Sequence, residues 1–72
     1  MVHGQRYERL KALLRKARQD AQLTQTQLAD RLSKRQAYVS KIELGERHLS
    51  FMDFLEWCEA CNADPAEIVR QV

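Results

Sequence analysis

The chain has 72 residues and a formal net charge of +2, and 44% of its residues are hydrophobic. A chain this short forms at most one domain, here residues 1–72, and buries only a modest core unless it packs efficiently or gains a partner. No apolar run approaches the roughly 20 residues of a transmembrane helix, and no secretory signal is recognisable, so we expect a soluble, cytoplasmic protein. With only 2 Gly and 1 Pro, hairpins are disfavoured and an all-α fold is predicted.

Positive and negative charges are separated along the chain. Residues 1–48 hold 11 Lys and Arg against 5 Asp and Glu, whereas residues 49–72 hold 1 Arg against 5 acidic residues. This excess of positive charge indicates attraction to a polyanion such as nucleic acid, although a solvated surface produces the same pattern.

Four of the predicted helices follow from apolar spacing and capping residues. The first helix ends near Gln22, and the later helices with clear start signals cover about 25–32, 51–61 and 65–71. Each of these later helices begins with an N-cap residue that has an acidic or amide partner three residues on. The pairs are Thr24 with Gln27, Ser50 with Asp53, and Asp64 with Glu67, and Pro65 fills the first position of the last helix.

The segment SKRQAYVSKIELGER, residues 33–47, contains the remaining helix. Val39 and Ile42 form a short apolar stripe, and Gly45 is well placed as a C-terminal stop. These signals predict a helix over residues 36–44, the third in chain order.

The third helix is the only later one without a capping side chain. Arg35 stands where Ser, Thr or Asp is usual, so the first backbone N–H groups are left to water or to an anion. Because the second and third helices are short and joined by about three residues, we predict a helix-turn-helix over about residues 25–44.

From residue 14 to residue 47 the sequence resembles the phage-repressor and Cro-like (XRE-type) helix-turn-helix domains of bacterial and phage regulators. One departure is Ser33, which stands where the family commonly has Gly in the turn. The resemblance implies a compact five-helix bundle of the lambda-repressor-like type, with the third helix in the DNA major groove, in a bacterial or phage-encoded protein. It also implies a structural pair between Arg18 and Glu43. The matching residues are Leu14, Arg18, 23–25, 28–29, Leu32, 39–43 and Gly45.

The resemblance places base-reading positions at Gln36, Ala37 and Lys41. A Gln side chain can pair with adenine, a Lys can reach guanine, and Ala can contact the thymine methyl group. We add Tyr38 to this set, since an aromatic edge can also contact thymine; the alternatives are that it contacts a phosphate or lies over the turn. In an arbitrary helix Gln36 would be an ordinary solvated residue at the helix start and Lys41 an exposed cation.

Phosphate contacts are predicted around this helix. Gln25 matches a phosphate-binding position of the family, at the positive end of the second helix. Lys34, Arg35, Ser40 and Arg47 are polar or basic residues in or beside the third helix and complete the predicted set.

Cys58 and Cys61 form a CxxC motif, which also occurs in redox and zinc sites. Its position inside a predicted amphipathic helix, on the apolar face that begins at Phe51, favours two buried thiols. A structural zinc would need two further ligands, and the histidines of the chain are His3 and His48. We therefore predict no metal and no cofactor.

The last two helices offer a candidate homodimer surface formed by Met52, Trp57, Val69 and Val72. Met52 and Trp57 lie off the predicted apolar stripe, and an exposed Trp on so small a protein indicates a partner surface. The alternative is that Trp57 only covers the edge of the fifth helix.

These observations predict a sequence-specific transcriptional regulator that binds double-stranded DNA, on a palindromic operator, as a homodimer. The alternative is an antitoxin-like interaction module that binds a partner protein through its last two helices, with DNA autoregulation secondary. An enzyme is not expected, because the sequence has no nucleophile–base set, Gly-rich phosphate loop or metal set.

Overall fold

A computed structural model describes residues 4–72, which form five α-helices and no strand. The all-α fold class and the order of the five helices are therefore confirmed. Within these residues, no helix combines the length and the apolar character that crossing a membrane demands. The helices are α1 (Gln5–Asp20), α2 (Gln25–Arg31), α3 (Gln36–Leu44), α4 (Phe51–Ala60) and α5 (Pro65–Gln71).

Capping side chains set the starts of α2 and α4. Thr24 Oγ1 accepts a hydrogen bond from the Gln27 N–H at 3.1 Å, and Gln27 Oε1 accepts one from the Thr24 N–H at 2.9 Å. Ser50 and Asp53 form the same reciprocal pair at α4. Both capping boxes satisfy backbone donors that the first turn of a helix would otherwise leave unpaired.

The start of α5 differs in one detail from the prediction. Asp64 Oδ1 accepts from the Ala66 N–H at 3.0 Å, so the N-cap is present. The Glu67 side chain, expected to complete a capping box, instead forms an ion pair with Arg70 one turn later.

Four helices end with a residue in the left-handed backbone region. After each one, an N–H donates to the carbonyl oxygen five residues earlier, as Lys34 does to Ala29 at 2.9 Å. Left-handed φ angles are unfavourable for residues with a Cβ atom, so these ends are strained wherever the residue is not glycine. The residues are Gln22, Ser33, Gly45 and Asn62, with φ angles of 60°, 56°, 78° and 56°.

Trp57 is completely buried at the centre of the bundle, so its assignment to an exposed dimer surface was wrong. Its indole Nε1 donates a hydrogen bond to the Leu14 carbonyl oxygen of α1 at 3.1 Å, which satisfies the one polar atom of the ring. The buried face of α4 consists of Phe54, Trp57 and Cys58, and Cys61, directly after the helix, is buried as well.

The buried face of α4 is rotated by roughly 60° about the helix axis from the predicted face. Phe51, predicted to begin the buried face, is 70% exposed. This rotation of the buried face leaves Phe51 outside the core and places Trp57, the largest side chain of the protein, inside it.

The two cysteines are free thiols, and both are buried. Burial raises the pKa of Cys58 and raises the pKa of Cys61 to about 11. In the part of the chain that the structure describes, no group of three or more His, Cys, Asp or Glu side chains is placed to hold a metal ion. His48 is exposed, and His3 lies outside the described residues.

Candidate nucleic-acid interface

Helices α2 and α3 pack closely on each other and form a helix-turn-helix. Ala29 of α2 is buried, and its small side chain lets α3 approach. On the inner side of α3, Val39 and Ile42 are both buried in the core. Because these two residues hold α3 against the bundle, its other side is left at the surface.

The outer side of α3 carries the predicted base-reading residues. Gln36, Ala37 and Lys41 are exposed, while Tyr38 and Ser40 are half-buried. Positions 36, 37, 40 and 41 recur with helical spacing, so they lie along one face. Their contacts with DNA stay a prediction.

The predicted phosphate-binding residues lie around this face. Gln25 is the first residue of α2, Lys34 and Arg35 lie in the turn before α3, and Arg47 lies in the loop after it. Arg35 is the N-cap residue of α3 and makes no side-chain capping hydrogen bond. The start of α3 is therefore open, as the sequence indicates.

Arg18 of α1 and Glu43 of α3 form an ion pair behind this interface. Arg18 Nε donates to Glu43 Oε2 at 2.7 Å and Arg18 Nη2 donates to Glu43 Oε1 at 3.1 Å, so the pair is bidentate. The third guanidinium nitrogen, Nη1, donates a hydrogen bond to the Leu23 carbonyl oxygen at 2.9 Å. The hydrogen bond that Arg18 donates to the Glu43 carboxylate raises the pKa of Arg18.

The Glu43 carboxylate also orients the amide of Gln25. Gln25 Nε2 donates to Glu43 Oε1 at 3.1 Å, and Gln25 Oε1 accepts from Gln36 Nε2 at 2.7 Å. A carboxylate can only accept hydrogen bonds, so Gln25 must turn its NH₂ group to Glu43 and its oxygen to Gln36. The predicted phosphate ligand and the predicted base-reading residue are thus joined directly, a contact that spacing in the sequence does not reveal.

Two cations that the sequence predicts to bind phosphate lie over the ring of Tyr38. Lys34 Nζ is 5.3 Å and Arg47 Cζ is 5.0 Å from the centroid of its ring. Burial, followed by the negative charge of Asp53, raises the pKa of the Tyr38 hydroxyl. The only signal in the sequence for this arrangement is the four-residue spacing between Lys34 and Tyr38 across the turn.

Another surface, between α1, α4 and α5, is apolar. It forms a groove of about 270 Å³ whose lining includes Leu10, Phe51, Val69 and Val72. Phe51 and Val69 are 70% and 60% exposed, and the adjacent Met52 is 61% exposed. Large apolar side chains that stay in water over a contiguous area indicate a surface for binding.

Comparison with known proteins places this architecture in a family. A family model described as a helix-turn-helix domain matches residues 9–71. An XRE-family like protein from Pseudomonas syringae pv. tomato str. DC3000 is 40% identical, with a TM-score of 0.86 over 90% of this chain and 79% of that one. The chain belongs to the XRE-type helix-turn-helix family.

A second solved structure is also similar to this XRE-type domain. It is the clp gene regulator ClgR from C. glutamicum, at 28% identity and a TM-score of 0.83, over 96% of this chain and 90% of the other. The search of curated proteins found no match. Together, the family and these neighbours make the chain a DNA-binding transcription regulator.

Proposed function

We propose that the protein recognises a specific operator by inserting α3 into the DNA major groove. The observation that carries the proposal is the exposed face of α3, where Gln36, Ala37 and Lys41 stand beside one another. These three residue types can recognise adenine, thymine and guanine respectively. Gln36 is also hydrogen-bonded to Gln25, which restricts the orientation of its amide before DNA arrives.

The surrounding polar residues hold the DNA backbone in this proposal. Phosphate ligands are Gln25 at the start of α2, Lys34 and Arg35 before α3, Ser40 within it, and Arg47 after it. Basic residues predominate in the first 48 residues, so the long-range field attracts DNA to the part of the chain that contains α3. Acting on DNA, the protein works in the cytoplasm of a bacterial or phage-infected cell.

Selection of bound sequences from random DNA tests the proposal. Wild-type protein should enrich one motif, and Lys41→Ala or Gln36→Ala should change that motif and lose about 1–3 kcal/mol on the best site. Lys16→Ala, the same change at an exposed position of α1, is the matched control and should keep both motif and affinity. No enriched motif for the wild type, or equal losses on all sequences for the α3 variants, would contradict base reading by these side chains.

The operator is palindromic and the protein binds it as a homodimer in this proposal. Support comes from the apolar groove, whose lining includes Val72, and from exposed Met52 and Val69. Phe51 joins this candidate surface and Trp57 leaves it, because Trp57 is buried. A two-fold dimer would place two copies of α3 about 34 Å apart, one helical turn of DNA.

Sedimentation velocity with and without operator DNA tests the dimer. Val69→Glu should shift the protein towards monomer and weaken binding to the full palindrome, with unchanged affinity for a half-site. Gln71→Glu adds the same charge at another exposed position of α5 and should leave the dimer intact. A wild-type protein that stays monomeric on its operator at micromolar concentration would rule out this interface.

The same exposed apolar residues also suit a different protein as partner. In this second candidate function the chain is antitoxin-like: α4 and α5 bind the partner, with acidic Glu56 and Glu59 exposed beside the contact, and DNA autoregulation is secondary. Stable co-purification with the product of a neighbouring gene, abolished by Val69→Glu, would favour this function over the homodimer.

A further inference from the structure

The ring of Tyr38 brings together two cations from opposite ends of α3. Lys34 lies in the turn before the helix, and Arg47 lies in the loop after it. Their charged groups are 5.3 Å and 5.0 Å from the ring centroid. Both distances fall within the roughly 6 Å over which an aromatic face attracts a cation.

Neither cation is neutralised by this contact. Among residues 4–72, the ion pairs join other side chains, and neither Lys34 nor Arg47 pairs with a carboxylate. A carboxylate would hold a cation by cancelling its charge, whereas an aromatic ring holds it through its quadrupole and leaves the charge intact. The two side chains are therefore restrained and still fully positive.

Backbone hydrogen bonds are formed at Lys34 itself and at the residue before Arg47. The Lys34 N–H donates to the Ala29 carbonyl oxygen at 2.9 Å, and Glu46, next to Arg47, donates to the Lys41 carbonyl oxygen at 2.8 Å. A fixed backbone and a restrained side chain reduce the conformational entropy that each long cation loses when it binds a phosphate.

We propose that Tyr38 is a positioning residue, which holds Lys34 and Arg47 in place for DNA phosphates and does not itself read a base. The inference rests on the proposed DNA-binding function and moves Tyr38 out of the base-reading set. Tyr38 acts through its ring face, so the hydroxyl group is dispensable and the aromatic ring is not.

Binding assays on Tyr38 variants test the inference. Tyr38→Leu should weaken binding to every sequence by roughly 5- to 30-fold, since two side chains then lose rotamer freedom on binding, and the ranking of sequences should not change. Tyr38→Phe keeps the ring and should restore most of the lost affinity. Tyr7→Leu makes the same change at a half-buried tyrosine of α1, away from α3, and should leave binding as in the wild type.

A double-mutant cycle separates positioning from direct contact. In a protein that already carries Lys34→Ala and Arg47→Ala, Tyr38→Leu should change the affinity by less than about twofold, because the groups it positions are gone. An altered sequence ranking, or an undiminished effect in that background, would show direct contact by Tyr38 and overturn the inference.

NMR of the wild-type protein gives a measurement that needs no substitution. The side-chain methylene protons of Lys34 and Arg47 should be shifted upfield by the ring current of Tyr38. Random-coil shifts for both residues would overturn the inference even if Tyr38→Leu failed to fold. A wild type that binds no DNA would overturn the proposed function together with this inference, whereas full binding by folded Tyr38→Leu would overturn only the inference.

Discussion

Arg18 and Glu43 form a bidentate ion pair that joins α1 to the end of α3 across 25 residues of sequence. Their side chains are only 10% and 4% exposed. Taking both charges out of water is costly, so the pair contributes little net stability, yet either partner left alone is a buried, uncompensated charge. Each residue is therefore needed to compensate the buried charge of the other.

We expect Arg18→Met and Glu43→Leu each to lower the free energy of unfolding by about 3–5 kcal/mol. The double variant should recover a large part of that loss, since it leaves no unpaired charge in the core. Urea unfolding of the four proteins measures the coupling. Losses below about 1 kcal/mol for both single variants, or strictly additive losses in the double variant, would contradict a buried and mutually dependent pair.

The contact between Gln25 and Gln36 predicts that the two residues do not act independently on DNA. Gln25→Ala should reduce affinity for all sequences through its lost phosphate contact, and should also weaken discrimination at the base pair that Gln36 reads. Combined with Gln36→Ala, its effect should be less than additive, because the two amides share a hydrogen bond.

Binding to the selected operator and to a version altered at that base pair measures this coupling between Gln25 and Gln36. Additive free energies on both DNAs would mean that the two glutamines contribute separately and that their contact is lost in the complex.

The burial of Trp57 predicts a large effect on stability and none on assembly. Trp57→Phe should lower the free energy of unfolding by about 2–4 kcal/mol, because it leaves a cavity and removes the hydrogen bond to Leu14. Phe51→Leu, at an exposed position of the same helix, should change stability by less than about 0.5 kcal/mol. Chemical unfolding measures both; equal effects would be incompatible with the observed rotation of α4.

Ser33 occupies a left-handed conformation that suits glycine better. Ser33→Gly should raise the free energy of unfolding by about 0.5–1 kcal/mol, the relief of backbone strain exceeding the extra entropy of glycine in the unfolded chain. The same substitution at Ser40, inside α3, should lower stability by about 0.5 kcal/mol. Thermal unfolding distinguishes the two, and a destabilised Ser33→Gly variant would contradict the left-handed turn.

Because the pKa of the buried Cys61 thiol is raised, we expect the protein to lose stability in alkaline solution. Burial raises its pKa from the usual value near 9 to about 11, so the folded state retains its proton longer than the unfolded state does. The resulting stabilisation is complete below pH 9 and is lost as the pH rises towards 11, by about 2–3 kcal/mol.

Urea unfolding at intervals from pH 8 to pH 11 checks this window. Cys61→Ala, although less stable overall, should show a shallower decline than the wild type because it lacks the titrating thiol. Parallel declines would indicate that other groups cause the alkaline loss.

Local chemistry made the helix boundaries predictable from sequence. Thr24 and Ser50 predict the starts of α2 and α4, because a capping side chain binds the backbone two or three residues away. Gly45 predicts the end of α3 for a similarly local reason, its left-handed backbone conformation. None of these signals depends on the rest of the molecule.

The errors concern contacts between distant segments. Trp57 was misplaced because its burial depends on how α4 packs against α1, and its hydrogen bond to the Leu14 carbonyl oxygen joins residues that are 43 positions apart in the sequence. The contact of Arg47 with the ring of Tyr38 likewise joins a helix to the loop that follows it, nine residues later, and no spacing in the sequence predicts it.

The carboxylate of Glu43 affects the orientation in which the side-chain amide of Gln36 can meet a base. By fixing the amide of Gln25, it commits one N–H of Gln36 to Gln25 and removes the option of turning the Gln36 amide over. A freely flipping glutamine offers donor and acceptor in either order, whereas a locked one offers a single order. An ion pair hidden behind α3 thus gives a surface glutamine a fixed polarity.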